Sequence, residues 1–202
     1  MFFYKPIGLS GAALVGKDTL CYNLINFLNK TELLDARRVS VAGDCIKNDI
    51  KNILENSIGL KTNFNCPIEK KIARPLLVEY GRYLRNKTKG RYFVEKINED
   101  PNFGLNYIPI ITDIRYCEYE KDELYWLKYE KKGILIFLER DGINPANDFE
   151  KNNNIVLKKH ADIVLNIPNI GNMDEYYLKN NYIFEKIFTT YQQDIFQPSN
   201  MS

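Results

Sequence analysis

Residues 7–20 read IGLSGAALVGKDTL: a short apolar run, then Gly11, four residues, Gly16, Lys17, Asp18 and Thr19. The spacing of the two glycines and the lysine predicts a phosphate-binding loop set between a strand and a helix. Glycine lets the backbone wrap closely enough for its N–H groups to point at phosphate oxygens. The helix that follows offers its positive N-terminal end to the same anion. Lys17 is placed to reach terminal phosphates as a compact point charge. The flanks agree: Pro6 to Ser10 suits a short buried strand, and Leu20, Leu24, Ile25, Phe27 and Leu28 recur at helical spacing.

One position departs from the common form. The Ser or Thr that usually follows the lysine and ligates magnesium is replaced by Asp18, with Thr19 one place later. Adenylate-kinase-like enzymes also carry their threonine two places after the lysine. GKDT therefore points toward small-molecule kinases and away from signalling GTPases or motor ATPases. Asp18 falls in the first helical turn, where the dipole favours a carboxylate. It either serves only that helix end or also holds a water of a magnesium shell.

A chain of 202 residues suits one α/β domain. The formal charge of +2 leaves no broad nucleic-acid footprint. No apolar stretch approaches membrane-spanning length, and MFFYKP is too short for a signal peptide, so the expectation is a cytoplasmic protein with neither nucleic acid nor membrane as partner. Cys21, Cys45, Cys66 and Cys117 are scattered, without a CxxC pair or a neighbouring histidine. Free buried thiols in a reducing cytosol are expected, and zinc is not. The closing QPSNMS is expected to be a frayed, disordered tail, about 196–202.

The rest of the chain alternates apolar runs with longer helical patterns. Strands are expected near Lys5–Ser10, Arg37–Ala42, Tyr107–Thr112, Gly133–Leu138 and Asp162–Asn166. Helices are expected near Lys17–Asn29, Asp44–Glu55, Ile68–Lys87, Arg91–Asn98, Glu118–Glu130 and Met173–Gln192. Such alternation predicts an α/β fold with a five-stranded parallel sheet and helices on both faces. In such sheets ligands bind at the carboxyl ends of the strands, so the polar residues after each strand are the candidates for chemistry.

YIPIIT runs straight into Asp113, Ile114 and Arg115. A carboxylate there can hold a magnesium water or orient an acceptor, and the arginine can clamp phosphate bidentately. The alternative is a salt bridge at a strand end. Side chains two apart at a strand end point the same way, so both are expected to face one cleft. VAGDCIK places Asp44 and Lys47 at a helix start, where Asp44 also suits an N-cap. In Ile68–Lys87, Arg74, Arg82 and Arg85 share a broad face at about 100° per residue. Arginine rather than lysine favours anion recognition over a merely solvated face. Gly81 inside that helix costs about 1 kcal/mol against alanine, which implies a close approach to its backbone. GILIFL ends in Glu139 and Arg140, and the following DGINPANDFEKNNN reads as a mobile lid or a long surface loop. ADIVLN ends in Asn166 and a loop, IPNIGN, whose backbone can touch a nucleotide base. His160, with no recognisable nucleophile motif to serve, reads as structural.

IGLSGAALVGKDT, VAGDCIK, ARPLLVEYGRYLR, PIITDIRYCEYE and HADIVLNIPNIGNMDEY stand in the order found in phage-type deoxynucleoside monophosphate kinases. The resemblance runs from Ile7 to about Tyr177. It implies a single P-loop kinase domain that transfers the γ-phosphoryl of ATP to a deoxynucleoside monophosphate, with magnesium as cofactor. In it, Gly11, Ala12, Val15, Gly16, Lys17, Asp18 and Thr19 carry the ATP phosphates and, through water, the metal, with Asn166 on the nucleotide. Asp44, Lys47, Arg74, Arg82, Arg85, Asp113 and Arg115 line the acceptor side, in a helical region of about 44–100. Arg140 matches a lid-side arginine, the lid being about 140–157. That lid is rich in asparagine, where histidine or arginine is expected. Lys17, Asp113, Arg115 and Arg140 are the expected catalytic set. Family members are often dimeric, which allows a homodimer. Two other readings stay open: a kinase of another phosphorylated metabolite, since one type of phosphomevalonate kinase shares a GKD-bearing loop, and a non-catalytic nucleotide-binding regulator.

Overall fold

Apolar strands that do not alternate with polar residues must be covered on both faces, and three short strands of this kind form the centre of a five-stranded sheet whose two edge strands are partly exposed. The computed structural model describes residues 3–30, 35–62, 64 and 66–196. Its strands are β1 (Ile7–Ser10), β2 (Ala36–Val39), β3 (Ile108–Ile111), β4 (Ile134–Arg140) and β5 (Ile163–Ile167), all parallel, in the order β2-β3-β1-β4-β5. Every adjacent pair in that order runs parallel, with Ile7 of β1 opposite Ile110 of β3 on one side and Ile134 of β4 on the other.

Two apolar layers clothe the sheet. On one, Leu20, Leu24 and Leu28 of α1 (Lys17–Lys30) pack with Tyr177 of α7 (Met173–Lys179) and Phe184 of α8 (Tyr182–Phe196) against Ile7, Leu9 and Ile136. On the other, Ile46 and Ile50 of α2 (Gly43–Ile58), Leu84 of α3 (Pro67–Thr88) and Phe93 of α4 (Tyr92–Asn98) meet Ile111, Leu135 and Phe137. Trp126 and Leu127 complete this layer from a broad turn (Trp126–Glu130) that follows the short α5 (Glu123–Tyr125), together with Leu157 of α6 (Asp148–Lys159). Among the described residues no helix is long and apolar enough to cross a membrane. All four cysteines are free, but only Cys21 is buried as expected: Cys45 and Cys117 are half-buried, and Cys66, at the N-cap of α3, is exposed.

Three expected elements differ in the structure, each for a local reason. The helix expected over Glu118–Glu130 starts only after Asp122, whose carboxylate caps it by accepting from the Tyr119 and Leu124 amides. It then widens into a π-helical turn, with the Lys131 amide donating to the Trp126 carbonyl. The helix expected over Met173–Gln192 breaks at Asn180, whose side-chain amide donates to the Tyr176 carbonyl and competes with the ladder. The third concerns DGINPANDFEKNNN. Much of it is helical, as α6, with Asn147 capping the start through a bond from the Glu150 amide. Its inward stripe is Asn153 and Leu157, so a buried asparagine stands where periodicity would look for an apolar residue. The tail expected to fray, beyond residue 196, lies outside the described residues.

Candidate functional site

Parallel strands deliver their carboxyl ends to one edge of the sheet, and the loop of residues 11–16 crosses that edge between β1 and α1. Its two glycines are there of necessity. Gly11 has φ +128°, and a Cβ on it would stand 2.2 Å from the Leu138 carbonyl oxygen. Gly16 has φ +103°, with the Met173 side chain 2.8 Å from the same hypothetical atom. Only glycine takes both the backbone angle and the close approach.

Lys17 opens α1 and is buried. Its ammonium is turned back on the loop and donates to the carbonyls of Gly11 at 2.7 Å and Ala12 at 2.8 Å. Burial, and secondarily the positive charge of Arg115, bring its pKa down to about 8. The next residue, Asp18, is 81% exposed and stands 3.6 Å from the Arg38 guanidinium of β2, which lies equally far from Asp44. Thr19 sits in the same first turn of α1. Among the described residues no group of three or more His, Cys, Asp or Glu side chains gathers around a common point.

Two clefts flank the loop. The first, about 510 Å³, is bordered by Ala12 and Val15 of the loop, Arg140 at the end of β4, Asn166 of β5, and Lys151 and Lys158 of α6. Arg140 donates to the Ile170 carbonyl at 2.5 Å and so braces the loop after β5, while its buried Nε has no partner. The second cleft, about 420 Å³, has Gly11 and Ala13 as its share of the same loop. Facing them are Arg74, Arg82, Arg85, Arg115, Tyr116 and Phe149.

The arginines of the second cleft are not equivalent. Arg74 and Arg82 are exposed, and Arg82 pairs with Glu79 at 2.6 Å, a contact worth little in water. Arg115 is exposed and carries the charge felt at Lys17. Arg85 is only 8% exposed: its guanidinium lies 3.5 Å over the Tyr116 ring and 4.7 Å over Phe93, and donates to Glu123 at 3.2 Å. Glu123, fully buried, spends its other oxygen on the Arg115 and Tyr116 amides, at 2.9 and 3.2 Å. Burial pushes its carboxyl pKa up while Arg85 and the Arg115 amide pull it down.

Several predicted residues take other tasks. Asp113 is turned to the loop after β2, where its two oxygens accept from Ser40 Oγ and from the Val41, Ala42 and Gly43 amides. It is thus the group that satisfies the N-terminus of α2, and it does not face the cleft beside Arg115. Asp44 is not the N-cap of that helix, since Ala42 occupies the position. Its carboxylate pairs with Lys47 at 3.3 Å, and neither residue borders the second cleft. Arg74, Arg82 and Arg85 do come to one cleft, as their helical spacing implied. Gly81 has its close approach: a Cβ there would meet Ile46 of α2 at 2.8 Å.

Sequence reasoning missed Glu123, Tyr116, Phe149 and Glu150. Glu150 accepts from the Ala13 amide of the glycine loop at 3.0 Å and from the Ala146 amide at 2.6 Å. Asn147 followed three places on by Glu150 has the form of a capping box, and that signal would have marked the start of α6. Nothing local marks Glu123, whose three partners come from α3 and the segment after β3. Set against known proteins, the chain matches no family model and no curated protein.

Proposed function

We propose that this protein is an ATP-dependent deoxynucleoside monophosphate kinase built on a P-loop kinase fold. The observation that carries the reading is the pair of clefts divided by one glycine loop, one of them lined with arginines. Phosphoryl transfer needs two anions held in line, each in its own site, meeting over a cradle of backbone amides. A protein that only senses nucleotide has no use for the second cleft. The parallel sheet with β1 at its centre supports the same reading, because it sets the loop at the middle of the carboxyl edge.

In this reading ATP lies in the first cleft, with its phosphates over residues 11–19, and the acceptor lies in the second. Tyr116 and Phe149, ring centroids 5.8 Å apart, give the acceptor cleft an aromatic wall, and Arg85 stiffens the Tyr116 ring from behind. A flat base suits such a wall better than the flexible chain of an isoprenoid phosphate. The acceptor is itself a phosphate, ionised at neutral pH, so the protein has little base catalysis to perform. An acceptor phosphate oxygen forms the new bond to the γ-phosphorus as the bond to the β,γ-bridging oxygen breaks, and ADP departs. Lys17 leaves the Gly11 and Ala12 carbonyls to neutralise the transferred group, and Arg115 holds the acceptor phosphate from the other side. Thr19 and Asp18, in the first turn of α1, would hold waters of a magnesium ion carried in with ATP, which would add charge neutralisation and keep most of its hydration. Asp113 acts at one remove, fixing the turn at residues 40–43.

The test is one assay with ATP, magnesium and each ribo- and deoxynucleoside monophosphate in turn, read as ADP release, with phosphomevalonate as a further acceptor. Stimulation by one or more deoxynucleotides is expected. Stimulation by phosphomevalonate alone would transfer the site to that class of kinase. Tight ATP binding with no stimulation by any acceptor would leave a regulator.

A further inference from the structure

The amide of Ala13 is part of the loop that, in the reading above, cradles phosphate, and it already donates to a carboxylate. Glu150 Oε1 accepts from it at 3.0 Å, and Oε2 accepts from the Ala146 amide at 2.6 Å. One side chain therefore ties the segment leading into α6 to the glycine loop. In an ordinary capping box the glutamate reaches back to its own helix start. Here only half of it does so, through Ala146, and the other half crosses to a loop 137 positions away in sequence. Glu150 and Ala13 both border the arginine cleft, on the side from which an acceptor must approach. A carboxylate there offers an oxygen where a terminal phosphate needs to place one of its own, and adds a like charge beside it. Its pull on Lys17, whose ammonium stays on the loop carbonyls, is felt through the same space.

We propose that Glu150 is a latch that holds α6 shut on the glycine loop and must be displaced when the terminal phosphate of the donor binds. The latch makes the first turn of α6 and the segment before it a lid with two positions, hinged where Asn153 and Leu157 stay packed. In the shut position Glu150 occupies the Ala13 amide. In the open position it gives that amide to phosphate. In the shut position its carboxylate also repels an acceptor anion that arrives before the donor is seated. The proposal rests on the kinase reading for the identity of the displacing anion, but the latch itself is a property of the protein without ligand.

Two measurements on Glu150→Gln and Glu150→Asp test it. The first is amide exchange at Ala13 in the ligand-free protein: both variants, one lacking the charge and one lacking the reach, should exchange faster there than the wild type. The second is equilibrium binding of magnesium-ATP and magnesium-ADP without acceptor. If the binding-competent fraction is what the latch limits, Glu150→Gln should tighten ATP by roughly three- to tenfold and ADP by less. Thermal unfolding of each variant confirms that it is folded. Unchanged exchange at Ala13, or ATP binding that is unchanged or weaker in folded Glu150→Gln, overturns the latch. A wild type that binds neither nucleotide at millimolar concentration overturns the kinase reading instead, whatever the exchange data show.

Discussion

The glycine loop and the arginine cleft are built by opposite routes. The loop takes its parts from consecutive residues 11–19, its turns set by the positive φ of Gly11 and Gly16. The cleft takes its parts from α3, the segment after β3, α6 and the residues leading into it, and these are held together by Glu150 and, from behind, by Glu123 of α5. A local device depends on glycine angles and a helix end. A dispersed one depends on buried charge. The two should therefore fail in different ways: substitutions in the loop should cost activity and leave the fold, whereas substitutions behind the cleft should cost the fold first.

The largest expected effect tests the second half of that contrast. Glu123→Ala leaves Arg85 buried without its carboxylate and removes the acceptor for the Arg115 and Tyr116 amides. Breaking one partner of a buried pair costs about 3–5 kcal/mol, so chemical denaturation should show a loss of that order. A loss under about 1 kcal/mol would mean that the pair behaves like a surface ion pair, and the contrast would fall.

Lys17→Ala tests the first half. In the kinase reading Lys17 meets the transferred group, so its removal should lower turnover by about 10²- to 10³-fold, while the thermal midpoint stays near that of the wild type. Near-wild-type turnover in a coupled ADP-release assay would defeat the kinase reading as a whole.

The same contrast explains what the sequence disclosed. All five strands, α1 and the glycine loop between β1 and α1 are legible, because strand burial, helical periodicity and glycine spacing are short-range signals. The three arginines of α3 were placed on one face for the same reason. Asp113 was misread because its position after β3 says where it is, not which way its carboxylate turns; four donors from residues 40–43 decide that. α6 was missed because its asparagines are poor helix formers and Asn153 lies on its buried side, held by the Cys117 amide and the Phe149 carbonyl. Glu123 carries no local signal for its pairing with Arg85, 38 positions away, and the capping-box form of Asn147 and Glu150 marks a helix start without disclosing the bond to Ala13, 137 positions away.

A smaller effect is expected where the cleft is exposed. Arg115→Ala should raise the acceptor KM and reduce kcat/KM for acceptor by roughly 10- to 100-fold, the worth of about 1.5–3 kcal/mol for hydrogen bonds to a charged group. ATP affinity near neutral pH should change little. Arg115→Lys should rescue poorly, since a point charge replaces a planar two-toothed donor. Equal loss of both substrates, or of neither, would make Arg115 a structural residue and move the acceptor phosphate to Arg74 or Arg85.

The smallest effect joins the two regions. Lys17 has its pKa lowered to about 8, by burial first and by Arg115 second. If Lys17 meets the ATP phosphates as the kinase reading has it, only its ammonium form does so, and ATP affinity should fall as pH rises through about 8, by at most about tenfold per unit for one proton. Folding stability carries the opposite sign. The unfolded chain, with Lys17 at its ordinary 10.5, binds more protons than the folded one between about 8 and 10.5, so this lysine's contribution to stability grows with pH across that window. Arg115→Ala removes the second cause of the lowering and should move the limb of the ATP-affinity profile upward by a fraction of a unit. ATP titrations from about pH 6.5 to 9.5 on wild type and variant measure both. A limb that stays in place on losing Arg115 would mean that the loop and the cleft are electrostatically separate, and that burial alone sets the charge of Lys17.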